Sequence, residues 1–237
     1  MINKLIAIVI IVLIFFLVYS LFANSRRLLP IKKMSYTKVK TSKLEDIVSN
    51  NYYFSLWYNV HGIKKNPKVD HHDLLKWLTP YNNNGDCNNS SNITKMHISL
   101  NSKLTMLNVG IKTSNQTNPD LNVNVYDVPI DGWNNVIVNV NHNVVDVFIN
   151  GELRKTSLSQ NLGNTIIKGS DTLCIGNKSL NGYIGNIIFG EESISTEEVF
   201  KIYKYGLGEN PLKSLFDRYR LKLAVLEQKA ELNSLEL

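Results

Sequence analysis

The densest group of chemistry-bearing side chains in this 237-residue chain is Asp70-His71-His72-Asp73, whose residue types are those that bind a divalent cation. On an extended segment adjacent side chains point to opposite sides, so the four cannot address one ion, and no second cluster supplies the missing ligands. A solvated, charged loop is the expectation there. Glu191-Glu192 and Glu197-Glu198 lie at the start of a predicted helix, where first-turn carboxylates complement the dipole. Cys87 sits in an Asn/Ser-rich loop and Cys174 in a predicted strand. Two cysteines do not make the framework of a small secreted domain, so free thiols are expected, with pairing the alternative. Five N-x-S/T sequons occur, at Asn88, Asn89, Asn92, Asn115 and Asn177. Asn occurs 31 times, a bias that suggests A+T-rich coding and produces sequons by chance.

The scaffold that carries these groups is organised around residues 131–151. Val136, Val138 and Val140 share one face of a period-2 strand, with Asn135 and Asn139 on the other. Asn141-His142-Asn143 turns the chain, and Val145, Val147 and Ile149 repeat the alternation. Asn150-Gly151 then supplies the positive-φ pair of a tight type I′ hairpin before Glu152-Leu153-Arg154 pairs back. Trp133 is expected in the core with these valines. Further strands are predicted at Tyr52 to Val60, Leu74 to Leu78 and Leu121 to Tyr126, and a bulge between Leu104 and Ile111, where the apolar phase slips. At least ten short strands with no helical period before residue 195 imply a two-sheet antiparallel sandwich.

With those residues in view, the order Trp133, alternating valines and Val147-Phe148-Ile149-Asn150-Gly151-Glu152-Leu153 resembles the signature of laminin-G-like, concanavalin A-like domains. Tyr53-Phe54-Ser55-Leu56-Trp57 resembles the first core strand of that family. Leu173-Cys174-Ile175-Gly176 and Gly182-Tyr183-Ile184-Gly185-Asn186-Ile187 resemble its last strands, and Ser195 to Gly206 its closing helix. Trp57, Trp133, Asn150 and Gly151 carry the fold signature. Behind an N-terminal apolar segment, this variant is similar to membrane-anchored sandwich proteins of large eukaryotic DNA viruses. The resemblance implies a jelly-roll binding module. It also extends to glucan-cleaving enzymes, which need two carboxylates flanking the scissile bond, and no Glu-x-Asp-x-x-Glu spacing exists here. Rim calcium in such domains would draw on Asp86, Asp120 or Asp131, whose spacing resembles no dedicated calcium loop, so no cofactor is expected.

Outside the sandwich, Leu5 to Ala23 is a run of 19 uncharged residues, about 30 Å long as a helix and therefore a transmembrane candidate rather than a cleaved signal. Arg26, Arg27, Lys32 and Lys33 follow it, so the positive-inside rule puts the domain on the cytosolic side. Much of the net charge of +6 clusters after this run, an anionic-lipid pattern rather than a nucleic-acid surface. Residues 1–27 are read as anchor and basic flank, 28–50 as linker, 51–208 as the sandwich and 209–237 as an amphipathic helix. In that tail Phe216, Tyr219, Leu223 and Leu226 lie on a 4-3-4-3 stripe that could contact a partner. The functional reading is a non-enzymatic, single-pass membrane module linking membrane to capsid shell as a minor virion protein. A lectin-like glycan-binding surface protein is the alternative, and a glucan hydrolase the second.

Overall fold

The structure, a computed structural model, describes residues 12–13, 27–40, 47–64, 70–80, 87, 91–112, 121–130, 132–159, 165–167, 170–207, 222–227 and 230–236. It is mainly β, two antiparallel sheets packed face to face. Strands are numbered in chain order. The seven-stranded sheet contains β1 (Arg27–Leu29), β2 (Lys32–Lys33), β5 (Asn51–Ile63), β10 (Asn134–Asn141), β11 (Val144–Ile149), β12 (Glu152–Leu158) and β15 (Leu180–Gly190). Its order is β1-β15-β5-β10-β11-β12, with β2 also on β15. The six-stranded sheet uses β3 (Thr37–Lys40), β6 (His71–Thr79), β7 (Ile93–Asn101), β8 (Met106–Ile111), β9 (Leu121–Tyr126) and β14 (Thr172–Ile175), in the order β3-β14-β6-β7-β8-β9. A short pair, β4 (Ile47–Ser49) with β13 (Thr165–Ile167), stands apart from both.

Between the sheets, Val136, Val138, Val140, Val145, Val147 and Ile149 pack with Phe54, Leu56, Trp77, Ile98, Leu107 and Phe189, all essentially inaccessible. The expected three-strand meander is present, and Val138 faces Val147 on one side and Phe54 on the other. Asn150 has φ +54° and Gly151 φ +82°, as a type I′ turn demands. The Asn150 side chain adds a clasp: its Oδ1 accepts from the Asn135 amide at 2.8 Å and its Nδ2 donates to Asn134 Oδ1 at 3.0 Å. A Cβ on Gly151 would also come within 3.0 Å of Tyr203 Cδ1. Gly151→Val is therefore expected to cost about 1–3 kcal/mol, read as a lowered urea midpoint with an unchanged slope.

The outer face of the seven-stranded sheet is closed by α1 (Thr196–Tyr205), the predicted closing helix. Ser195 caps it in a reciprocal box with Glu198. Val199 and Ile194 pack on Tyr53, Ile137 and Phe148, and Tyr203 stacks on Trp57 at 5.8 Å. Covered in this way, Asn135 and Asn139 are buried rather than half-exposed. Asn139 Oδ1 accepts from the Ile194 amide at 2.9 Å, and Asn135 Nδ2 donates to Ser55 Oγ at 3.1 Å.

Four expectations are corrected. Trp133 is not core: it has the opposite parity to Val136, Val138 and Val140, so it lies half-buried on the outer face, 6.2 Å from Tyr183. Residues 28–50 are not a linker, because β1 to β3 complete the edges of both sheets and β4 pairs with β13. The phase slip near Leu104 is a turn, not a bulge. Leu104 takes φ +62° and Asn101 Oδ1 accepts from the amides of Thr105 and Met106. Finally β16 (Lys222–Glu227) and β17 (Ala230–Glu236) form an antiparallel pair where a helix was expected. Leu223 and Val225 alternate with Lys222 and Ala224, a period that suits a strand as well as the stripe suits a helix. Leu223 and Leu226 thus lie on β16, whereas Phe216 and Tyr219, like the Leu5–Ala23 segment apart from residues 12–13, are outside the described residues. No helix among the described residues is long and apolar enough to cross a membrane.

Candidate functional site: a polar cleft on the six-stranded sheet

Alternation along β6 to β9 sends one set of side chains into the core and the other outward, and the outward set is almost wholly polar. Register aligns it in two rows across the strands. Asp73, Ser99, Asn108 and Asn124 form one, and Lys76, His97, Gly110 and Asn122 the other. All of these but Gly110, together with His71, Thr94 and Met106, line an open cleft of about 530 Å³.

A hydrogen-bond chain crosses three strands of this cleft. Asn108 Nδ2 donates to Asn124 Oδ1 at 2.7 Å, which leaves Asn108 Oδ1 to accept from His97 Nε2 at 2.6 Å. That geometry requires the Nε2–H tautomer of His97, and burial holds its pKa below the usual imidazole value, so the ring is neutral at pH 7. Gly110 makes the arrangement possible. A Cβ at that position would sit 2.2 Å from His97 Cε1, so only glycine lets the ring lean across β8 toward Asn108. At one side Asp73 and Lys76 form an ion pair at 2.9 Å.

Among the described residues Asp73 is the one carboxylate of the lining and it is already paired, so they do not supply the two flanking carboxylates that glycoside cleavage requires. What it offers is a row of neutral donors and acceptors held at fixed spacing, the equipment of recognition. Sequence reasoning reached the Leu121 to Tyr126 strand that carries Asn122 and Asn124 but missed His97, Asn108 and Gly110. The available signal was the polar alternation of His97, Ser99 and Asn108, masked by the Leu104 turn.

The Asp70-His71-His72-Asp73 group is divided as extended geometry requires, but by a strand rather than a loop. His71 and Asp73 face the cleft, whereas His72 is buried and its Nδ1 lies 2.8 Å from Ser179 Oγ. Among the described residues no three His, Cys, Asp or Glu side chains gather to hold a metal. Asp86, Asp120 and Asp131 are outside those residues. Cys87 and Cys174 are joined in a disulfide, against the expectation of free thiols. Cys174 registers with Lys76, so the bond lies on the same outer face as the cleft, where Leu78 and Tyr36 pack on it.

No family model and no curated protein matches the chain. Solved structures resemble its fold. The botulinum neurotoxin serotype D binding domain aligns over 76% of this chain and 43% of its own, at 14% identity and TM-score 0.55. The serotype G binding domain aligns over 74% and 42%, at 14% identity and TM-score 0.53. The binding domain of botulinum neurotoxin DC, solved in complex with rat synaptotagmin II, aligns over 76% and 43%, at 14% identity and TM-score 0.50. The chain spans less than half the length of each of these neighbours, and likeness at this identity bears on the sandwich fold alone.

Proposed function

We propose that the chain is a non-enzymatic binding module whose polar cleft takes a neutral, hydroxyl-rich ligand, a glycan, on the oxidising side of a membrane to which Leu5–Ala23 anchors it. The observation that carries this reading is the His97–Asn108–Asn124 chain. It places neutral donors and acceptors across three adjacent strands, and among the described lining residues the one carboxylate, Asp73, is paired with Lys76.

The disulfide supports the oxidising side, since such bonds persist where thiols are not kept reduced. The basic residues after the apolar run argue less strongly for the cytosol than their count suggests, because Lys32, Lys33, Lys38 and Lys40 are strand residues of a folded domain, and domains translocate largely regardless of charge. A link between membrane and capsid shell draws on no feature of the cleft, and the glycan reading is preferred.

The test is binding of the full chain, reconstituted in nanodiscs, to a panel of neutral oligosaccharides. Asn108→Ala removes the centre of the network and is expected to weaken binding roughly tenfold, the equivalent of about 1.4 kcal/mol. Gly110→Ala, which displaces the His97 ring, should act in the same direction. Unchanged affinity in both variants, with melting curves showing them folded, would reject the cleft as the site.

A further inference from the structure

We propose that the outer face of the seven-stranded sheet, at its β1–β2 edge, rests on the phospholipid headgroups, with Trp133 and Tyr183 as interfacial aromatics. The inference rests on the reading of Leu5–Ala23 as a membrane anchor. Helix α1 covers only part of this face. Beyond Trp57 the next outward positions of β5 are Asn59 and His61, and register brings Tyr183 beside Asn59 and Lys33 beside Tyr183. Trp133, just before β10, lies 6.2 Å from the Tyr183 ring, and His61 packs edge-on against it at 6.1 Å. Tyr183 is 44% exposed and Ile31, whose backbone runs against Gly185, is 40% exposed. Half-wet tryptophan and tyrosine beside an exposed lysine and isoleucine match the composition of a membrane–water interface, where amphipathic rings sit at headgroup level.

Chain connectivity names the occupant. Three residues separate Ala23 from Arg27, so the first strand begins within about 14 Å of the end of the apolar run. Arg27 registers with Ile188, five residues along β15 from Tyr183, a distance of about 17 Å. A sandwich standing on its Arg27 end would lift the aromatic pair away from the bilayer, whereas one lying on its β1–β2 edge lowers the pair into the headgroups. Lys33, Lys38 and Lys40 are exposed on the two edge strands of that same side, where long basic side chains reach the headgroup level in the second arrangement.

Tryptophan fluorescence tests this. Trp57 and Trp77 are only 2% and 1% exposed, so an external quencher reads Trp133. The full chain is reconstituted into phosphatidylcholine–phosphatidylserine vesicles, with and without lipids brominated near the headgroup. Brominated lipid is expected to quench part of the emission, and Trp133→Phe to abolish that part. Emission from Trp133 that ignores brominated lipid but is quenched by aqueous acrylamide would overturn the proposal. So would a neutral oligosaccharide that shields Trp133 from acrylamide when lipid does not, which would make the patch a sugar platform. Retention on the vesicles through a carbonate wash reads the anchor separately. A retained but unquenched chain defeats the docked face alone, and a released chain defeats the anchor and the docked face with it.

Discussion

Replacing both Cys87 and Cys174 with alanine is expected to lower unfolding stability by about 4 kcal/mol relative to the oxidised protein. The bond joins residues 87 positions apart, and the loop-closure entropy that such a cross-link removes from the unfolded chain is about 4–5 kcal/mol, before any compensating structure in the denatured state. Alanine is the appropriate replacement because both positions are buried beside Leu78 and Tyr36, where a hydroxyl would add its own desolvation cost. The bond also ties a loop cysteine to β14, the strand that joins edge strand β3 to β6. Urea unfolding of the oxidised wild type, the reduced wild type and the double variant measures the effect, and non-reducing electrophoresis of the native protein reports the bond itself. Identical midpoints, with free thiols in the native protein, would remove the argument for an oxidising compartment and return the domain to the cytosolic side.

Asp171→Ala should be comparably damaging, with a loss of about 3–5 kcal/mol. The Asp171 side chain is fully buried just before β14, and its carboxylate accepts from Thr79 Oγ1 at 2.7 Å, Trp77 Nε1 at 3.1 Å and Lys95 Nζ at 2.5 Å. Lys95 also lies over the Trp77 ring, 5.1 Å from its centroid. Removing the carboxylate takes the nearest counter-charge from a largely desolvated ammonium and the acceptor from the buried indole N–H, and that uncompensated burial, more than the lost attraction, sets the magnitude. Asp171→Leu combined with Lys95→Met should recover much of the loss, since both members of the pair are then replaced by apolar side chains. A single Asp171→Ala variant that unfolds at the wild-type urea concentration would show that the pair contributes nothing.

Local pattern was enough for the skeleton. The period-2 alternation of Val136 to Val140 and Val145 to Ile149, the Asn150-Gly151 turn and the closing helix after Ser195 each depend on neighbours within a few residues. All three are present. The same alternation, followed one residue further, places Trp133 on the outer face. The resemblance drew attention to residue type, and parity carried the correct information.

Other features depend on partners far along the chain. Whether Asn135 and Asn139 are wet or buried is decided by α1, more than fifty residues away in sequence. Whether Cys87 meets Cys174 depends on a pairing across 87 positions, and the cleft exists only because register lines up Asp73, Ser99, Asn108 and Asn124 from four strands. The tail shows the same limit from the other side: residues 222–236 carry an apolar spacing compatible with two periods, and pairing between strands selects one. Which residues alternate and which turn can be read locally, because those preferences are steric and confined to near neighbours. Which polar groups share a face, which cysteines meet and which surface stays open depend instead on register between strands that the chain brings together from a distance.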